Sequence, residues 1–105
     1  MRRVRILEAA AEEIVEAVAW YERQRPGLGV DFSRAVDAAL DLLEDEVVPL
    51  LAPTDRSAAR HGAKRLILRR FPYDVVVRES GNEILVVAVA HHSRRPGYWK
   101  DRPDI

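Results

Sequence analysis

The run Ala90-His91-His92-Ser93-Arg94-Arg95-Pro96-Gly97-Tyr98-Trp99 sets two imidazoles, two guanidiniums and two aromatic rings directly after an apolar segment. A second stretch, Leu68-Arg69-Arg70-Phe71-Pro72-Tyr73, adds two more guanidiniums beside aromatics. An imidazole exchanges a proton near neutral pH, a guanidinium grips phosphate through paired N–H donors, and an aromatic face stacks on a base. These are the parts of a phosphodiester-handling site, and side chains at the end of a rigid strand are well held for such work. Each part also has a plainer reading. His91 reads as a half-buried, hydrogen-bonded strand residue, as an acid–base group, or as a partner contact. Tyr98 and Trp99 read as a tail folded back onto the core or as a stacking platform. His91 and His92 do not form a metal pair, because adjacent strand residues point to opposite faces, and the same alternation separates Arg69 from Arg70. The chain has no cysteine, and no P-loop, dinucleotide fingerprint, nucleophile elbow or metalloprotease helix is present. No metal and no cofactor is expected.

The elements that must position these residues follow from hydrophobic period. Arg3-Val4-Arg5-Ile6-Leu7 alternates and predicts a short strand. A helix opens at Ala9-Ala10-Ala11-Glu12-Glu13, with Ile14, Val18 and Tyr21 on one stripe and Trp20-Tyr21 read as packing. Arg25-Pro26-Gly27 stops it near Gln24. Leu28, Phe32, Val36, Ala39, Leu43 and Val47 form the stripe of a second helix, ended by Pro49 and Pro53. So short a break predicts an antiparallel helical hairpin. After a polar loop over 54–62 the period changes to strands at Arg65–Arg69, Tyr73–Arg78 and Glu83–Ala90, the last two joined by a turn at Ser80-Gly81-Asn82. The last strand is almost wholly apolar, which fits a central strand covered on both faces. The expected fold is α+β, in the order β-α-α-β-β-β, an antiparallel sheet with a helical hairpin packed on one face and residues 1–105 forming a single domain.

Composition fits a globular protein, with 48% hydrophobic and 32% charged residues. The basic start Met1-Arg2-Arg3-Val4-Arg5 meets Glu8 before any apolar region develops, so no signal peptide is expected. No uncharged run approaches the roughly 18–20 residues of a membrane span. The expectation is a cytoplasmic protein with no membrane contact. The net charge is zero, yet residues 1–55 hold 6 Lys/Arg against 12 Asp/Glu, and residues 56–105 hold 11 against 5. Either the second half meets something anionic, or acid-rich helices and arginine-bearing strands simply divide the charge.

The element order, together with Ala17-Val18-Ala19-Trp20-Tyr21-Glu22, Pro26-Gly27-Leu28-Gly29, Asp31-Phe32, Arg70-Phe71-Pro72-Tyr73 and the ending Ala88 to Trp99, resembles the RelE/ParE toxin superfamily, in particular its ParE-like plasmid-stabilisation branch. The likeness spans nearly the whole chain. It implies the toxin of a type II toxin–antitoxin system, encoded beside a short antitoxin that wraps across it, in a hetero-oligomer. It implies two contrasting mechanisms. ParE-like members inhibit growth by poisoning DNA gyrase, whereas RelE-like members are ribosome-dependent endoribonucleases that cut mRNA. For a nuclease, 2′-OH attack needs a proton acceptor, a proton donor and cations, roles open to His91 as acid or base, Arg69 or Arg78 together with Arg94 as the cations, and Tyr98 as a stacking or acid group. A neutral chain, with a sequence pI near 6.8, gains little steering toward a polyanion. Val76-Val77 stands where relatives often carry aromatics. The leading expectation is therefore a ParE-like toxin acting on a protein target. The alternatives are a RelE-like nuclease and a non-toxic remnant that only binds antitoxin. Arg65, Arg69, Arg94, Arg95 and Trp99 are the expected contacts for antitoxin or target.

Overall fold

The computed structural model describes residues 2–45, 50–52, 56, 59 and 62–103. The elements run β1 (Arg3–Ile6), α1 (Glu8–Gln24), α2 (Leu28–Glu44), β2 (Ala63–Ile67), β3 (Tyr73–Ser80) and β4 (Glu83–His91), in the β-α-α-β-β-β order that hydrophobic period predicts. Val47, Pro49, Pro53 and much of the 54–62 loop lie outside the described residues. Arg69 falls just after β2, in the turn leading to β3.

The sheet order is β1-β4-β3-β2. Across β2, β3 and β4 it is antiparallel, as expected. β1 instead lies parallel to β4, pairing Arg3 to Glu83 and Ile6 to Val86, so the sheet is mixed rather than wholly antiparallel. A parallel pair needs a long crossover, and the helical hairpin supplies it.

Glu22, in the last turn of α1, makes the hairpin tight. Its carboxylate accepts the backbone N–H of Gly27 at 2.9 Å and of Gly29 at 3.0 Å, satisfying donors at the start of α2 where the helix dipole favours negative charge. Gly27 holds φ 91°, a left-handed conformation that suits glycine. The hairpin buries Ala10, Ala17, Tyr21, Phe32, Val36, Ala39 and Leu43. Tyr21, Phe32, Phe71 and Tyr73 form one aromatic cluster, with Phe32 5.1 Å from Phe71 and 4.9 Å from Tyr73 between ring centroids. Each such contact adds about 0.5–1.5 kcal/mol beyond burial, and together they pin the 68–72 turn to the helices.

β4 is buried from Ile84 to Ala90 because both sheet faces are covered. Register separates the two sides. Leu66, Val75 and Val89 stand on one face with Tyr73 and His91, facing the helices, while Arg65, Asp74, Val76 and Ala90 stand on the other. The segment after β4 folds back over that second face. Trp99 is 5% exposed, and Arg78 reaches from β3 to the carbonyl oxygens of Lys100 at 2.9 Å and Arg102 at 3.2 Å. Of the two readings of Tyr98-Trp99, the folded-back tail is the one Trp99 follows. No helix among the described residues is long and apolar enough to cross a membrane.

Candidate functional site

The end of β4 divides the chemistry between two sides of the sheet. On the helix side, His91 lines a groove of about 510 Å³ with Trp20, Tyr73, Glu16, Arg23 and Arg94. Its ring meets the Tyr73 ring edge-on at 5.0 Å, and its Nδ1 accepts the Ser93 backbone N–H at 2.9 Å. In the neutral imidazole the proton therefore resides on Nε2. Trp20 packs its edge on Tyr21 but keeps half its surface exposed at the rim.

On the opposite side, Asp74 holds the neighbouring histidine. His92 Nε2 donates to Asp74 Oδ1 at 2.9 Å, and Arg65 Nη1 approaches Asp74 Oδ2 at 3.3 Å. Arg65 Nε donates to the Ala52 carbonyl at 3.1 Å, which anchors the guanidinium. These residues line a cavity of about 200 Å³ with Arg94, Arg95 and Tyr98. His92 lies in the turn just after β4, and both histidines line this outer cavity, His91 lining the helix-side groove as well. Among the described residues, no group of three or more His, Cys, Asp or Glu side chains is placed to hold a metal ion.

Tyr98 is committed inside the fold. Its hydroxyl donates to the Glu13 carboxylate, and the Arg94 guanidinium lies 3.9 Å over its ring. Burial, and then the bond to Glu13, push its pKa well above the ordinary tyrosine value, so the phenol keeps its proton. Arg78 is likewise turned toward the C-terminal carbonyls. Of the five nuclease candidates, His91, Arg94 and Tyr98 gather around the end of β4. Arg69 sits exposed in the preceding turn, and Arg78 points to the C-terminal segment. Of the expected contact residues, Arg65, Arg94 and Arg95 share the outer cavity, Arg69 stands apart, and Trp99 is buried beneath it.

Glu13, Asp74, His92 and Arg102 take central places that the sequence reading did not assign. Asp74 alone carried a usable signal, as a lone acid within the apolar strand Tyr73–Val77. A buried-side acid there needs a cationic partner.

The sequence matches no known family model and no curated protein. The backbone does match a solved structure, a chain described as "Chromosomal ParDE TA system from P. aeruginosa". The TM-score is 0.71 and the identity 16%, over 87% of this chain and 96% of that one. The two chains share one fold. Within that ParDE-like fold, the chain presents an arginine-rich cavity on one side of β4 and an aromatic groove on the other.

Proposed function

We propose that this chain is the toxin component of a type II toxin–antitoxin system, that it acts in the cytoplasm by binding a protein target, and that the target is DNA gyrase. The supporting observation is the ParDE-like fold over nearly the full length of both chains. The internal commitment of Tyr98 and Arg78 favours a protein target over RNA cleavage, since two of the groups a nuclease would draw on are engaged within the fold.

The cognate antitoxin would be an acidic amphipathic segment that orders on binding. Its helix would fit the groove beside Trp20 and Tyr73, and its acids would meet Arg65, Arg69, Arg94 and Arg95. Induced expression of the chain alone, scored for growth, mRNA integrity and gyrase-dependent DNA breaks, tests the reading. Arrest with broken DNA and intact mRNA is the expected outcome. Arrest with codon-phased mRNA cuts, abolished by His91→Ala, would replace the gyrase reading with a ribosome-dependent nuclease. No arrest in any host would leave a non-toxic antitoxin-binding protein.

A further inference from the structure

The outer cavity holds more positive charge than its surroundings neutralise. Asp74 is the one carboxylate among the residues that line it, and Arg65 and His92 already engage both its oxygens. Arg94 uses the face of its guanidinium on Tyr98, which leaves the N–H donors in the guanidinium plane without a hydrogen-bond partner among the described residues. Arg95 is exposed, and its guanidinium makes no hydrogen bond or ion pair among the described residues. Counting guanidiniums and carboxylates alone, three against one leave an excess of two positive charges in the lining.

Geometry narrows the ligand. The donors come from different segments: Arg65 from β2, and His92, Arg94 and Arg95 from the turn that follows β4. A planar carboxylate matches one guanidinium fork, whereas a tetrahedral oxyanion accepts donors from several directions at once. The cavity, about 200 Å³, has room for one such group. Asp74 accepts the Nε2 proton of His92 and so fixes the ring at the edge of the cavity.

We propose that this cavity is a binding site for a dianionic phosphoryl group, either inorganic phosphate or the phosphomonoester of a mononucleotide. Nothing in the proposal depends on the toxin–antitoxin reading, and it holds or fails separately from growth arrest.

The test is a titration of the full chain at pH 7.5, followed by NMR of the His92 ring and the arginine side chains, in low-salt buffer free of phosphate. The probes are inorganic phosphate, AMP, dimethyl phosphate, acetate, and an RNA oligonucleotide with a 5′-hydroxyl end. Saturable shifts with phosphate and AMP, and affinities about tenfold weaker for the monoanions, are expected. Equal affinities for phosphate and AMP would assign the site to free phosphate, and tighter AMP binding would assign it to a nucleotide; both support the site. Arg95→Gln, at an exposed position, should retain the fold and weaken phosphate about fivefold or more. Failure of phosphate to saturate, acetate binding as tightly, or indifference to Arg95→Gln would overturn the proposal. Tighter binding of the RNA at the same resonances would overturn it in favour of a phosphodiester surface.

Discussion

Glu13 on α1 and Arg102 in the C-terminal segment meet at the open edge of β4, with Arg102 Nη1 2.9 Å from Glu13 Oε1. The contact answers a gap in the sheet. β1 ends at Ile6, opposite Val86, and the chain turns into α1, so β4 runs on beyond its parallel neighbour. Glu13 accepts the Val89 backbone N–H at 3.0 Å, and Arg102 donates to the Val87 carbonyl at 3.0 Å. Two side chains thus satisfy backbone groups that a longer β1 would have paired.

Removing Glu13 should therefore cost more than a surface ion pair. Glu13→Ala strands Val89 N–H and Tyr98 O–H and leaves the Arg102 guanidinium only the Val87 carbonyl, and an expected loss of about 2–3 kcal/mol follows from leaving partly buried groups unpaired. Glu13→Gln keeps an acceptor and should lose less. Urea unfolding of both variants, with Arg102→Met and the double variant, closes the cycle. A coupling energy near zero would show that the two residues act independently.

Trp99→Ala tests the cover over the outer sheet face. Trp99 is 5% exposed, and deleting its indole should cost about 3–5 kcal/mol, the range for large aromatic truncations. If the C-terminal segment were only a loose tail, the denaturant midpoint would scarcely move.

Hydrophobic period carried most of this architecture. The helical stripes of α1 and α2 and the apolar run of β4 each have one dominant pattern, and Pro26-Gly27 marks the hairpin without ambiguity. The parallel placement of β1 was not legible, because alternation identifies a strand and not its neighbour. The site was half legible. His91, Arg94 and Arg95 stood out by type and spacing, whereas Glu13 and Arg102 are 89 positions apart and read as ordinary surface charges. Their partnership exists only after β4 has been left with an open edge. His92 looked like a companion of His91, and only the turn after β4 sets its ring against Asp74.

Glu79 gives a pH-dependent prediction. Chiefly through a hydrogen bond from Lys64 at 2.6 Å, with Arg2 assisting, its carboxyl is held below the ordinary glutamate value despite some desolvation. A lowered folded-state pKa stabilises the protein above the unfolded value of 4.5 and loses that contribution as pH falls through the lower folded value. Wild type should exceed Glu79→Gln by about 0.5–1 kcal/mol at neutral pH, as for a partly exposed ion pair, with the gap closing below the unfolded value. A gap that persisted unchanged into strong acid would assign the effect to packing.

Gly29 tests the hairpin crossing. A Cβ at this position would lie 2.6 Å from the Val18 carbonyl oxygen, a backbone atom that cannot swing aside. Gly29→Ala should destabilise by about 1–3 kcal/mol through overpacking, although alanine favours helix and glycine does not. Thermal unfolding decides between the two effects. A raised Tm would mean that the helices can separate at this point without loss.

Arg70 is the one described non-glycine residue with positive φ, at 71°. The left-handed region costs an L-residue roughly 1–2 kcal/mol, and glycine escapes that cost while adding freedom to the unfolded chain. What Arg70 gains in return is small: a 3.8 Å approach to Asp31 from a side chain that is 67% exposed, and a place 5.7 Å from the Phe71 ring centre. Arg70→Gly should therefore be neutral or stabilising by up to about 1 kcal/mol, and Arg70→Val destabilising by about 1–2 kcal/mol, because a β-branched side chain tolerates the conformation least. Should glycine prove the more damaging of the two, the cation over Phe71 would be holding the turn before β3, and the guanidinium rather than the backbone would govern that corner of the sheet.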